Sequence, residues 1–320
     1  MISAKAQTAE APDIVEVFLN IVPENPIAAM AEGSILPKIL FMIVFGIALA
    51  LVRETSEDES IRQGAEGISR AAETAAEAMF KIVRGVVEYG VIGVFTLMAA
   101  TLAQTGTEAL VSFGVLIGAL SIAVVLHISV VYLGVMIGVL TRQSPSAFLV
   151  GSRDTMVTAL SIRFSSGTLP VTMADADDNL RIEEGIYSFS LPPGATINMD
   201  GTAMYQGVAA VFAANLVGTS LTIGEQLTVV AIAVLASVGA ASVPGVGLIM
   251  LTLVLTQLGL PLGVVGFVAG VDPILDRLRT MTNVTGDLAV ATVVGKWNGA
   301  IDFAGGTWAG DLTEPVIADD

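Results

Sequence analysis

Two short apolar arms separated by a polar tip constrain this chain more than any other feature. "EQLTVVAIAVLA" (Glu225 to Ala236) runs into "SVGAASVPGVG" and then "LIMLTLVLTQL" (Leu248 to Leu258), giving arms of 12 and 11 residues. At 1.5 Å per residue each helical arm reaches only about 17 Å, well short of a hydrocarbon core of about 30 Å. Two such arms joined by Gly, Ser and Pro predict a re-entrant hairpin. Its non-helical tip is tolerated at membrane depth only where protein or a polar cavity surrounds it. Composition fits that setting. Of 320 residues, 54% are hydrophobic and 14% charged, against about 25% charged in soluble domains.

The rest of the chain reads around that hairpin. Asp13 to Val22 is a short amphipathic segment ending at Pro23. Apolar runs at Ile35 to Val52, Ala78 to Ala103 and Val111 to Leu140 are each long enough for one crossing. A charged, helix-favouring linker, Arg53 to about Ala75, joins the first two. "GVLIG" and "GVMIG" in the third are small-xxx-small patterns that allow close helix approach. A helix over 146–162 is expected to be broken by Ser165, Ser166, Gly167 and Pro170, making a first hairpin. Between the hairpins lies a span carrying "NMDGT" (198–202), and after the second lies one carrying "NVTGD" (283–287). Hairpin, polar-interrupted span, hairpin, polar span is the internal repeat of a secondary transporter with a midplane site.

Charge sets orientation and excludes partners. The formal net charge is −16, so nucleic acid is not an expected partner. Arg53, Arg62, Arg70, Arg142, Arg153 and Arg181 fall in alternate loops, Lys296 follows the last span, and no Lys or Arg lies between Arg181 and Arg277. The positive-inside rule puts those loops and the C-terminus in the cytoplasm of a multi-pass protein of the cell membrane. Cys is absent, which excludes disulfides and cysteine-ligated metal. The single His127, inside an apolar run, reads as a packed polar residue rather than a ligand. No nucleophile–base motif or catalytic metal cluster is legible, so an enzyme is not expected.

The chemistry gathers on two segments. On a helical wheel, Asp272, Asp276, Arg279, Thr280, Asn283 and Asp287 share an arc of roughly 100°, with Arg277 off it. Facing lipid each would be costly, so this face lines a polar interior. Arg279 offers a planar fork for a carboxylate. Asp276 can hold that fork or bind an ammonium, and together they suit an acidic amino acid. In the "NMDGT" span, Gly201 can break the helix and free carbonyls, while Asn198 and Asp200 offer oxygens. Hard oxygens suit a group I or II cation, and the residues alone do not single out sodium.

"SSGTLPVTM", "GIYSFSLPPGATINMDGTAMYQG", "SVPGVG" and "LDRLRTMTNVTGD" closely resemble the dicarboxylate/amino acid:cation symporter family of glutamate and aspartate transporters, archaeal sodium–aspartate symporters above all. The likeness extends back through "NIVPENPIAAMAEGSILPKI" over almost the whole chain. It implies an all-α polytopic membrane protein with two re-entrant hairpins and inverted repeats. Residues 1–140 would hold part of a trimerising scaffold and, at 111–140, a span on the transport side. Residues 141–320 would be the transport core: first hairpin at 146–172, broken span at 186–217, second hairpin at 225–258, last span at 265–295, then an acidic tail. The activity implied is sodium-coupled symport of an acidic amino acid or related dicarboxylate by an elevator motion in a homotrimer.

The same resemblance implies residue roles. Arg279 takes the substrate side-chain carboxylate and Asp276 its amino group. Thr202, Asn283 and Thr280 join them, while Ser165, Ser166, Val243 and Gly247 cover the substrate from the hairpin tips. One sodium uses Asp287 with carbonyls of Gly194, Asn198 and Asn283. A second uses backbone at Thr196, Ser237, Val238 and Ala240, with Met199 nearby. A third involves Asn198 and Asp200. Arg163 would pair with acids of the last helix. Three departures stand out. Phe164 replaces a serine, Ala240 and Ser242 replace the usual threonine and glycine, and the chain starts at what resembles the family's fourth span. On that count Asp200 is expected to lack partners, and the alternative is a non-transporting fragment that keeps the binding core.

The acids cluster at "ETSEDES", "DADDNLRIEE" and the tail, a carboxylate-rich surface of halophile character. Thermal stability is therefore expected to rise with NaCl concentration towards molar levels. A melting temperature independent of salt would contradict it.

Overall fold

The computed structural model describes residues 22–31, 35–105, 108–238 and 245–310. Ala240, Val243 and the tip of the second hairpin lie outside the described residues, as do most of the Asp13 to Val22 segment and the tail after residue 310. Among the described residues the chain is helical, with a single isolated bridge, Ile182 to Ile301, in place of any strand.

The amino-terminal part begins with the short α1 (Pro26–Ala31), capped by Asn25 Oδ1 accepting the Ile27 N–H at 3.0 Å. It continues into α2 (Ile35–Thr55) and α3 (Glu59–Thr105). The expected charged linker and second span form one helix, α3, of 47 residues. At 1.5 Å per residue it is about 70 Å long, more than twice a hydrocarbon core. Ala, Glu, Gln and Arg are strong helix formers, and Glu66–Arg70 adds an i,i+4 ion pair. Nothing between Glu59 and Ala78 therefore stops the helix. Its start is fixed by Asp58, whose Oδ1 accepts the Ser60 N–H at 2.8 Å. That hydrogen bond holds the Asp58 carboxyl below its usual range.

Helix α4 (Glu108–His127) runs on as a wide-turned π-helical stretch, Ile128–Thr141. Together, Leu110–Thr141 is the one helix among the described residues long and apolar enough to cross a membrane by length and composition. The glycines of "GVLIG" have nothing within 4 Å of where a Cβ would stand, and those of "GVMIG" meet only carbonyls of their own helix. The close helix approach those patterns allow is not made among the described residues: Leu116 and Ile137 of the two motifs are in the core, while the glycines lie off it.

Next come α5 (Pro145–Gly151), α6 (Arg153–Ile162) and α7 (Ser165–Ala174). Ser144 caps α5 from the Ala147 N–H and Pro145 opens it. The break expected at Ser165–Gly167 falls earlier. Arg163 takes a left-handed φ of 64° and Phe164 is extended, so Ser165 opens α7 and Pro170 is carried inside it. α6 and α7 pack against each other. Asp175 fastens their base, accepting the Thr155 N–H and an Asn179 N–H, both at 2.8 Å.

The remaining helices are α8 (Glu184–Ile197), α9 (Asp200–Leu216), α10 (Ile223–Val238), α11 (Val246–Gln257), α12 (Gly263–Ala269) and α13 (Asp272–Asn298). Thr222 and Glu225 form a reciprocal capping box at the start of α10. The arms α10 and α11 have 16 and 12 residues. The expected last span, 265–295, is two pieces that part at Gly270–Val271, where Pro273 opens α13. Unlike "NMDGT", "NVTGD" breaks nothing and sits inside α13. That helix is the hub, packed against α4, α6, α7, α8, α9 and the wide-turned stretch, and buried along most of its length.

The chain then folds back. Trp308 Nε1–H donates to the Leu180 carbonyl at 2.7 Å and Thr307 Oγ1–H to that of Asn179 at 3.2 Å. Leu180 is fully buried beneath this return. Leu180→Ala is expected to lower unfolding stability by about 2–5 kcal/mol, the usual range for a core leucine. Denaturant titration in detergent measures it, and a change under about 0.5 kcal/mol would contradict the packing.

Candidate functional site

The polar arc of α13 is buried as expected. Arg279 is 2% exposed, and Asp272, Asp276, Thr280, Asn283 and Asp287 are buried with it. Arg277 lies off the arc, partly exposed, with its Nη1–H donated to the Pro273 carbonyl at 2.7 Å. Arg279 Nη2 is paired with Asp276 Oδ1, and its Nη1 stands 3.7 Å from Asp272 Oδ1. Its guanidinium also lies over the Tyr205 ring, 4.8 Å from the centroid, a cation–π contact. Arg279 Nη1 has no hydrogen-bond partner despite full burial. Arg163, expected to pair with acids of the last helix, makes no ion pair within 4 Å among the described residues.

Two helix starts converge on this arginine. Gly201, in the first turn of α9, lies so close that a Cβ would overlap the Arg279 backbone carbonyl. Its N–H donates to Asn283 Oδ1 at 2.8 Å. Gly201 therefore does not break the helix. Asn198 and Met199 do, with ψ of 80° and 46° between α8 and α9, and Gly201 permits the contact that follows. Gly247, in the first turn of α11, has the Arg279 guanidinium where its Cβ would be. The Gly245 N–H donates to Asp276 Oδ2 at 3.2 Å, tying the second helical pair to α13.

A small cleft of about 10 Å³ lies there, lined by Ser165, Met199, Thr202, Asp276, Arg279, Thr280 and Asn283 among others. Asn283 Nδ2 reaches Thr202 Oγ1 at 3.3 Å and Met199 Sδ at 3.1 Å. Ser166 is exposed at the same helical tip. Below, Asn198 Nδ2–H donates to Asp287 Oδ1 at 2.9 Å and approaches the Asn283 carbonyl at 3.5 Å. A Cβ on Gly194 would stand 2.8 Å from Asp287 Oδ1. The four residues expected around the first cation are thus neighbours, though the Asn198 group that meets Asp287 is its amide nitrogen and the Gly194 carbonyl accepts the Asn198 N–H at 2.8 Å. Of the second set, Thr196 is exposed and donates to the Pro193 carbonyl at 2.9 Å, while Ser237 is buried and donates to that of Val234 at 2.8 Å. Val238 ends α10, which touches α8.

Asp200 does not lack partners. Tyr132 Oη–H donates to its Oδ2 at 2.8 Å, and His127 Nε2 lies 3.2 Å from the same oxygen. The two rings meet edge to face at 4.7 Å. His127 is therefore a partner of the polar site as well as a packed residue. Five positions apart, these rings would stand about 140° apart on an ordinary α-helix. The wide turn, with i→i+5 bonding, brings them into line. Gly286 of "NVTGD" leaves the room: a Cβ there would stand 2.6 Å from Tyr132 Oη and 2.8 Å from Asn198 Nδ2. Tyr205 also escaped the sequence reading, although it follows Thr202 by three positions and so shares its helix face.

Residues 1–297 match the family model described as the sodium:dicarboxylate symporter family. The chain belongs to that family. The proton/sodium-glutamate symport protein of Bacillus subtilis is 34% identical over 91% of the chain. The proton/glutamate-aspartate symporter of Escherichia coli is 31% identical over 94%, and excitatory amino acid transporter 2 of Rattus norvegicus is 34% identical over 91%. The chain spans 65%, 66% and 51% of those relatives' lengths. Membership makes the chain a membrane protein of transporter type, all-α in fold.

The contact at Gly201 is with backbone, which cannot swing aside. Gly201→Ala is expected to lower stability by about 1–3 kcal/mol, as overpacking does. Gly207→Ala, further along the same helix α9 with nothing within 4 Å, is expected to be neutral or stabilising by up to about 1 kcal/mol. Thermal unfolding of the two variants side by side checks the difference, and equal melting temperatures would contradict the contact.

Proposed function

We propose that this chain carries the substrate- and ion-binding core of a sodium-coupled symporter for an acidic amino acid, aspartate or glutamate. The observation that carries the reading is the buried Arg279, paired with Asp276 yet keeping one N–H without a partner, beside a helix interrupted at Asn198–Met199. A buried guanidinium with a free donor suits a carboxylate, which accepts from its planar fork. Asp276, anchored on one side by Arg279, has the charge to take the ammonium group. Thr202, Thr280 and Asn283 add hydroxyl and amide groups around the same cleft, with Ser165 and Ser166 at its edge. Val243 and Gly247 would close it from the second helical pair. The names of the relatives, glutamate and glutamate-aspartate symporters, agree with this substrate class.

Sodium enters as co-transported substrate. Asp287 with the backbone around Gly194, Asn198 and Asn283 forms the first proposed site. A carboxylate held by one amide proton keeps lone pairs for a hard cation. The backbone near Thr196, Ser237, Val238 and Ala240, with Met199, forms the second. Asp200 and Asn198 form the third, with Tyr132 orienting the Asp200 carboxylate. Both ions and substrate meet where α9 begins, so filling one site orders the segment that builds the other. That shared segment is the physical basis of coupling. The wider reading is an elevator motion of residues 141–320 against a homotrimeric scaffold, with the C-terminus cytoplasmic.

Uptake of labelled aspartate into proteoliposomes tests the reading. Saturable uptake that needs an inward sodium gradient is the expected result, and uptake indifferent to sodium contradicts it. Arg279→Lys keeps the charge but loses the fork, so aspartate affinity should fall roughly ten- to a hundredfold, the value of charged hydrogen bonds. Unchanged affinity would remove Arg279 from the carboxylate role.

A further inference from the structure

Residues 299–310 fold back onto a loop far earlier in the chain. Gly299, at a left-handed φ of 69°, ends α13 and turns the backbone. The Asp302 N–H donates to the Arg181 carbonyl at 3.1 Å, and the Glu183 N–H to the Ala300 carbonyl at 3.0 Å. Between these bonds Ile182 and Ile301 face each other as an isolated antiparallel bridge. Thr307 and Trp308 add side-chain bonds to the Asn179 and Leu180 carbonyls. At Gly306, with φ 56°, a Cβ would overlap the Asn179 carbonyl oxygen. Phe303 braces the Trp308 ring edge to face at 5.2 Å. None of these residues lines the cleft.

The loop held in this way, 179–183, joins the first helical pair to α8. On one side, the Asn179 side chain donates to Asp175, which also takes the Thr155 N–H. The base of α6 and α7 therefore hangs on the same point. On the other side, α8 starts at Glu184 and delivers Asn198 at its far end. With 14 residues, α8 is about 21 Å long, so a tilt of about 5° at its base moves the far end by about 2 Å. A shift of that size breaks a hydrogen bond. α7 likewise presents Ser165 at the end away from the loop. A clamp on 179–183 thus sets where Ser165 and Asn198 stand relative to α13, the helix from which the clamp emerges.

We propose that residues 299–310 are a latch, with Trp308 as its positioning residue, that holds the first helical pair and α8 in register with α13. Its release opens the base of the pair and carries Ser165 and Asn198 out of line with Asp276 and Asp287. The consequence for ligand affinity rests on the reading of the cleft as an acidic amino acid site. The opening of the base does not.

The full chain contains no cysteine, so introduced thiols report without background. Thr155→Cys, buried at the base of the pair, reads opening by its rate of reaction with a maleimide. Thr228→Cys, buried in α10, reads general loosening. Trp308→Ala should speed labelling at 155 roughly tenfold, the upper value of one lost hydrogen bond, and leave 228 within about twofold. Trp308→Phe keeps a ring, loses the N–H donor, guards against misfolding of the alanine variant and should lie between. An antiparallel pair flanked as Ile182 and Ile301 are stands about 4.5 Å apart at Cα, within reach of a disulfide. Ile182→Cys with Ile301→Cys should therefore oxidise and return Trp308→Ala to the parent labelling rate, and dithiothreitol should reverse the rescue. Calorimetric titration with L-aspartate in saturating NaCl should show affinity lowered roughly tenfold in Trp308→Ala and restored by the oxidised pair. No acceleration at 155, equal acceleration at 155 and 228, or a cysteine pair that does not oxidise overturns the latch. Faster labelling at 155 with unchanged aspartate affinity overturns its positioning role. A parent chain that binds no aspartate overturns the proposed function, while the labelling rates still decide whether the latch holds the base.

Discussion

Arg279 cannot be buried alone. A guanidinium in a membrane helix is expensive, and removing one partner of a buried pair typically costs about 3–5 kcal/mol. Its surroundings follow from that constraint. Asp276 pairs with it one turn away, Asp272 stands on its other side, and Tyr205 lies beneath its face. Gly201 and Gly247 give up side chains so that two helix starts can reach it. The helix that carries it packs against most of the others. The fold is organised to keep one charge dry, partnered and close to two helix beginnings.

Those beginnings matter because first-turn N–H groups have no intrahelical acceptors. At α9 one is used at once, Gly201 N–H to Asn283. At α11 the Gly245 N–H just before the helix is given to Asp276. Asp276 thus touches Arg279 and the second helical pair together, so any ligand that competes for its oxygens acts on both. At the far end of the arc, Asp287 and Asp200 are linked through Asn198, Tyr132 and the space left by Gly286. Charge on one acid is felt along this chain of contacts, the route by which the proposed ions and acidic substrate would depend on each other.

Much of this was legible in the chain itself. The 100° arc on α13 could be read because a continuous helix has a fixed period, and charges on one face of an apolar helix admit few meanings. The short arms of the second pair were legible from length alone. The places of interruption were not. Gly201 was the obvious breaker by propensity, yet Asn198 and Met199 bend the chain, and Gly201 serves a packing contact 78 positions away in sequence. Ser165 likewise opens a helix that it was expected to end. Glycine and serine admit several conformations, and tertiary contacts decide between them. The partners of Asp200 were hidden for a different reason. His127 and Tyr132 align only on a wide-turned helix, which periodicity of 3.6 does not anticipate.

The central claim is that the acid site at Arg279 and the cation site at Asp287 are energetically linked through the start of α9. Aspartate titrated calorimetrically into the purified chain over a range of NaCl concentrations measures this most directly. The account predicts that aspartate affinity rises steeply with sodium in the parent. In Asp287→Asn the sodium dependence should weaken by about one ion, since linked binding is reciprocal, with Arg279 and its partners intact. Aspartate affinity independent of sodium in the parent, or an unchanged slope in Asp287→Asn, would contradict it.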